Sequence, residues 1–99
     1  MWTPLHIAAC KGHLDCLNEL IMMGANVNLQ DKGGGTALHQ VFRTVRWTPQ
    51  RNRIDCVKAL IEAGADPKIR DKWGQTALSK AIDCNLKDCI EYLKNFTPS

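Results

Sequence analysis

The sequence predicts an all-α solenoid built from three helix–turn–helix units, and three tracks of self-similarity predict it. TPLHIAA opens at Thr3, TALHQVF at Thr36 and TALSKAI at Thr76. LDCLNELI from Leu14 is answered by IDCVKALI from Ile54 and KDCIEYLK from Lys87. GANVNLQDKGGGT from Gly24 is answered by GADPKIRDKWGQT from Gly64.

Each unit opens on a threonine, Thr3, Thr36 or Thr76, placed as the N-cap of a first helix. Pro4 suits the first turn, where a missing N–H costs nothing. Gly12 takes the turn between the two helices of the first unit. Its register mates are Asn52 and Asn85, and asparagine is the next-best residue for a left-handed turn. The second helix sets Leu14, Leu17, Leu20 and Ile21 on one apolar face, repeated by Ile54, Val57, Leu60 and Ile61. Gly24 and Gly64 end those helices at a position that favours a left-handed backbone. The third unit carries Lys87 and Lys94 in place of aliphatics, the polar outer face of a C-terminal cap. The units run about 1–33, 34–73 and 74–99.

The register slips once. Unit two holds a surplus from Val45 to Arg51, between its first and second helix. Pro49 is expected to stop a slightly lengthened first helix, and the rest becomes a loop whose closure costs little. The surrounding stretch RTVRWTPQRNR, Arg43 to Arg53, holds four of the five arginines, one of the three tryptophans and no acid. It reads three ways: as neutral decoration, as a cover in which Trp47 folds over Phe42, or as a partner-contact loop using Arg43, Arg46, Trp47 and Arg51. Tryptophan and arginine are the types enriched in binding hot spots. Cations around a stacking aromatic also suit single-stranded nucleic acid. That reading stays an alternative, because the patch is short, Asp55 follows at once and the overall basicity is low for it.

The totals agree with one small domain. Ninety-nine residues at 44 % apolar and 23 % charged are ordinary globular composition. A net charge of +3 leans toward acidic partners without demanding nucleic acid. Five cysteines cannot all pair within the chain. No secretory leader pattern opens the sequence, and no apolar run reaches membrane-spanning length. The expectation is a reducing compartment, cytosol or nucleus, with free thiols and no membrane.

The tracks resemble the ankyrin repeat, a unit of about 33 residues with a T-P-L-H-x-A opening. Thr3-Pro4-Leu5-His6, Thr36-Ala37-Leu38-His39, Gly24-Ala25, Gly64-Ala65-Asp66 and the turns Asp31-Lys32-Gly33-Gly34 and Asp71-Lys72-Trp73-Gly74 carry the likeness over nearly the whole chain. The resemblance implies β-hairpin turns joining the helix pairs, and His6 and His39 hydrogen-bonded within their turns; Ser79 replaces the histidine in unit three. It implies partner recognition on the hairpin tips and the exposed side of the first helices, without catalysis. By register that surface offers Lys11, Lys32, Arg43, Arg70, Lys72, Trp73, Gln75 and Asp83, together with Trp2, Cys10, Gln30, Gly33, Gly35, Thr44 and Cys84. Its charge is mostly basic, which favours an acidic partner segment. Trp73 is the best single anchor, its alternative being to pack along its own hairpin. The inter-helix loops lie at the opposite end from the tips, so Trp47 and Trp73 form two separate candidate sites. Met1 stands where the family usually has glycine, and Leu14 and Ile21 are as apolar as in an internal unit. A truncated first boundary is therefore expected, with an uncapped apolar face open to self-association.

Cys10, His13 and Cys16 make a C-x2-H-x2-C spacing of the kind metal sites use. The repeat explains them better. Cys16, Cys56 and Cys89 share one register on the buried face of the second helix, where a free cysteine acts as a small hydrophobe. No metal and no cofactor is expected. No base is oriented toward a nucleophile and no phosphate loop occurs, so no enzyme activity is expected either. The reading is an adaptor or regulatory module; a purely structural spacer is the remaining possibility.

Overall fold

The computed structural model describes residues 3–43 and 50–96, and the side chains of all of these except 50–52 and 96. It begins with a capped turn. The Thr3 N–H donates to His6 Nδ1 at 3.2 Å, and the His6 N–H donates to Thr3 Oγ1 at 3.3 Å. This reciprocal pair satisfies two N–H groups that a helix start otherwise leaves open. It launches α1 (Pro4–Lys11). Thr36 and His39 begin α3 (Ala37–Gln40), with the Thr36 N–H donating to Nδ1 at 3.1 Å. Thr76 begins α5 (Ala77–Asp83) by accepting from the Ser79 N–H at 3.2 Å.

The second helices are α2 (Leu14–Met22), α4 (Gln50–Glu62) and α6 (Lys87–Phe96). Four helix ends close in the same way. The N–H groups of His13, Ala25, Ala65 and Leu86 each reach back five residues to a carbonyl, around a left-handed Gly12, Gly24, Gly64 or Asn85. Such a closure satisfies the last carbonyls and turns the chain sharply.

Unit two departs from expectation. α3 has only four residues and tightens through Phe42 N–H→His39 O and Arg43 N–H→Gln40 O. The helix is over by Gln40, so it does not run on toward Pro49. Asn52 does not take the left-handed role of Gly12; it lies inside α4. A longer connection removes the need to reverse within one residue, and α4 starts four residues before its register mate. Gln50 and Arg51 of the surplus are thus helical. Residues 44–49 lie outside the described residues, and with them the expectation that Trp47 covers Phe42.

The helix pairs stack side by side. α1 packs on α3 and α3 on α5, while α2, α4 and α6 form a second layer. Leu17, Leu38, Val41, Val57, Leu60 and Leu93 are sealed between the layers. Among the described residues no strand forms. The hairpin expectation survives as turns that touch. Lys72 N–H donates to Gly33 O at 2.8 Å, and Asn28 joins the bases of the tips by accepting from the Asp66 N–H at 2.7 Å and donating to Gly64 O at 3.2 Å. Gly34 permits this approach. Its φ is +78°, and a Cβ there would stand 2.9 Å from Lys72 N.

The cysteine register is only partly buried. Cys56 and Cys89 are sealed, but Cys16 is exposed, because no described residue packs on that side of α2. Burial pushes the Cys56 and Cys89 thiols up to about 11. At pH 8 a disulfide reagent should therefore label Cys16 fast, and Cys56 and Cys89 only as the fold opens. Replacing Cys16 by Ser should remove the fastest phase and leave the slower one of half-buried Cys84. Equal rates at all three positions would contradict this packing.

Candidate functional site

The two hairpin tips are built alike. Asp31 Oδ1 accepts the N–H groups of Gly33 and Gly35, both at 2.9 Å. Asp71 Oδ1 accepts those of Trp73 at 3.0 Å and Gln75 at 2.9 Å. A short carboxylate that bonds backbone two and four residues on fixes the tip. The other oxygens face inward. Asp31 Oδ2 accepts from Gln40 Nε2 at 2.8 Å, and Asp71 Oδ2 meets Lys80 Nζ at 3.7 Å. Burial alone would raise Asp71. The N–H groups of Gln75 and Trp73, with Lys80 and His39 nearby, outweigh it and hold the carboxyl below its ordinary value.

Each tip is tied to the pair before it by an imidazole. His6 Nε2 lies 3.1 Å from Gly35 O, and His39 Nε2 lies 2.9 Å from Gln75 O. Because Nδ1 in each ring accepts a threonine N–H, the proton belongs on Nε2, which donates forward. These histidines therefore do more than the resemblance implied: they bond within their own turn and also reach the next tip. Burial lowers the pKa of His39, against the pull of the Gln75 carbonyl and of Asp71.

Between the tips and the first helices lies a groove of about 350 Å³. Lys32, Arg43, Lys80 and Trp73 line it, over a floor of Asp31, Asp71, His39 and Gln40. Three cations stand against two carboxylates, one of them paired with Lys80, so the groove keeps a small positive excess. Trp73 is 69 % exposed. Its ring lies over Gly33 of the neighbouring tip, and Lys72 Nζ stands 4.7 Å from its centroid. It thus rests on both hairpins and still presents most of its surface.

The structure brings Lys32, Arg43 and Trp73 together and sets Lys72 beside them. Gln75 and Asp83 are bonded to each other at 3.4 Å, Nε2 to Oδ2, next to the groove. Gln30 braces the tips through Gly34 O and Arg70 O. Lys11 and Arg70 are exposed but do not line the groove. Trp2, Thr44, Arg46 and Trp47 lie outside the described residues, as does the Arg51 side chain. Cys10 is buried and leaves the candidate surface, since it faces the core from α1. Cys84 is half-buried, its Sγ 3.8 Å from Phe42 O. Arg53, counted in the arginine-rich stretch, is 2 % exposed within α4. Among the described residues no three His, Cys, Asp or Glu side chains converge to hold an ion. No described helix is long and apolar enough to cross a membrane.

Sequence reasoning missed Gln40, Lys80 and the two aspartates. Gln40 and Lys80 are register mates of Ile7, which is 41 % exposed, and what draws them to the groove is the carboxylate each one meets, Asp31 and Asp71.

Comparison with known proteins agrees with this architecture. The family model for ankyrin repeats, in three copies, matches residues 1–71 and 47–98. Among similar proteins are the probable E3 ubiquitin-protein ligase XBOS33 of Oryza sativa subsp. japonica, 47 % identical over 46 % of this chain, and the ankyrin repeat and SOCS box protein 1 of Mus musculus, 54 % identical over 37 %. Protein phosphatase 1 regulatory subunit 12A of Mus musculus is 49 % identical over 37 %. The chain spans only 9 %, 11 % and 4 % of these three proteins. The match to the family model covers nearly the whole chain, beside capped first helices, left-handed helix ends and aspartate-built tips, and it settles the kinship: the chain belongs to the ankyrin repeat family.

Proposed function

We propose that this chain is a non-catalytic recognition module, the adaptor or regulatory part of a larger protein in the cytosol or nucleus, that takes an acidic or mixed partner segment along the groove between tips and first helices. Ankyrin repeats in general are protein–protein interaction modules. The observation that carries the finer reading is the groove itself: Lys32 and Arg43 exposed on its rim, Trp73 presented beside them, and both floor carboxylates occupied by their own turns. Charge there orients an approaching segment, and the indole supplies contact area. The tips are cross-braced, so binding orders little of this surface. The activities named for the relatives belong to those proteins.

The nucleic-acid alternative needs its arginines outward, and the burial of Arg53 counts against it. A spacer would have no specific ligand.

Selection from a random peptide library on the folded chain tests the reading. Recovered peptides should be rich in Asp and Glu. Trp73→Ala should weaken them by about 2 kcal/mol, roughly thirtyfold in Kd. Peptides without acidic bias, or binding indifferent to Trp73→Ala, would sink it.

A further inference from the structure

The two tips share one frame and differ in what fills it. The Gly33 N–H donates to Asp31 Oδ1 as the Trp73 N–H donates to Asp71 Oδ1, so Gly33 and Trp73 hold the same place in two equal turns. Gly34 and Gly74 follow them, both with a left-handed backbone. Trp73 shows that the frame accepts the largest side chain at that place. Gly33 itself lies outside the left-handed region, so its backbone does not ask for glycine. The turn therefore gives no reason for the missing side chain.

The reason stands on the neighbouring tip. A Cβ on Gly33 would meet Trp73 Cζ3 at 3.6 Å and Cη2 at 3.8 Å. Both are ordinary van der Waals contacts. A methyl group thus fits beneath the indole, and two carbons held stiffly beyond Cβ do not. Gly35 is open for a similar reason. A Cβ there would stand 2.9 Å from Gln40 Nε2, while its register mate Gln75 carries a side chain. The first tip is bare where side chains from elsewhere enter it.

We infer that Gly33 is a positioning residue for the groove: its bare backbone is the seat that holds the Trp73 indole across both tips, and so sets how well a segment in the groove is bound. The inference rests on the recognition reading proposed above and gives the first tip a part in it. A tryptophan that is 69 % exposed and has no seat samples several rotamers. Fixing the ring beforehand removes that ordering cost from binding.

Time-resolved fluorescence anisotropy of Trp73, in a chain carrying Trp2→Phe and Trp47→Phe, reads the seat directly. The seated ring should turn with the whole molecule, and Gly33→Ala should leave it so. The melting temperature of Gly33→Ala should hold or rise slightly, since alanine narrows the unfolded ensemble. Gly33→Val should lift the ring and add a fast component to the decay, with helicity unchanged by circular dichroism. Against an Asp- and Glu-rich peptide from the library selection, Gly33→Val should raise Kd roughly tenfold, and Gly33→Ala should change it by no more than about twofold. In a Trp73→Ala background Gly33→Val should add nothing, because the seat acts only through its ring. An anisotropy decay unchanged by Gly33→Val overturns the inference. So does a loss of affinity that persists in the Trp73→Ala background, which would place the effect in the first tip's own turn. If no acidic peptide binds the unsubstituted chain, the recognition reading falls, and the seat stands or falls on the anisotropy alone.

Discussion

Leu60→Ala is expected to lower stability by about 3 kcal/mol. Leu60 is fully buried in the last turn of α4, the helix with a neighbour on both sides, α2 and α6. Truncation at a fully buried site leaves a cavity that the packed neighbours fill only in part. A domain of this size holds roughly 5–15 kcal/mol in total. The melting temperature should fall by roughly 12–24 °C. The register mate Leu20 provides the comparison. It sits at the same place on α2 but is only half-buried, so Leu20→Ala should cost about half as much. Met22→Ala, 86 % exposed, should stay within about 0.5 kcal/mol. Urea denaturation of the three variants checks the order. Equal losses at Leu20 and Leu60 in dilute solution would refute the layer arrangement.

The second large effect belongs to His39. Its ring joins three groups in the interior: the Thr36 N–H, the Thr36 hydroxyl at 2.9 Å and the Gln75 carbonyl. Alanine leaves a donor and an acceptor stranded, each at about 1–3 kcal/mol, for a loss near 3 kcal/mol. His39→Ser copies the Thr76–Ser79 turn and should recover part of that. It cannot reach Gln75, so it should not recover all. The same residue sets a pH dependence. Burial holds its pKa below the ordinary 6.5. Between the folded value and 6.5 the unfolded chain binds the extra proton, so stability is whole above about 6.5 and declines as pH falls toward the folded value. Asp71, held below the ordinary 3.8, adds a second decline beneath that pH. Urea midpoints from pH 8 to pH 4 should show the first decline in the wild type and a smaller one in His39→Ser. An unchanged profile would mean that His39 is not the group behind the decline.

How much of this could be read beforehand follows from which interactions are local. Caps and left-handed helix ends depend on a few adjacent residues, so Thr3, Thr76, Gly24 and Asn85 announce themselves. Asn52 shows the limit. Its residue type suits a left-handed turn and equally tolerates a helix, and the length of the connection before it decides. Burial is less legible still. Cys16 and Cys56 share a register, but only Cys56 has a helix pair on that side. Arg53 reads as one of a basic string, and its place on α4 turns it inward. The groove combines residues from two tips and two helices. Its cations Lys32 and Arg43 were legible from register, whereas Lys80 required knowing that Asp71 faces it.

The forward reach of the imidazoles has a consequence for how the chain is made. Synthesis runs from the amino end, and the acceptor for His6 is the carbonyl of Gly35, that for His39 the carbonyl of Gln75. A first helix can emerge, cap itself and still hold an unanswered buried donor until the ribosome has added most of another repeat. Each unit thus waits on its successor to finish. A chain arrested just before Gly35, or just before Gln75, would carry one incomplete turn, a vulnerable state for proteolysis. At Thr76 the waiting ends, because Ser79 closes its turn against its own threonine and asks nothing of residues still to come.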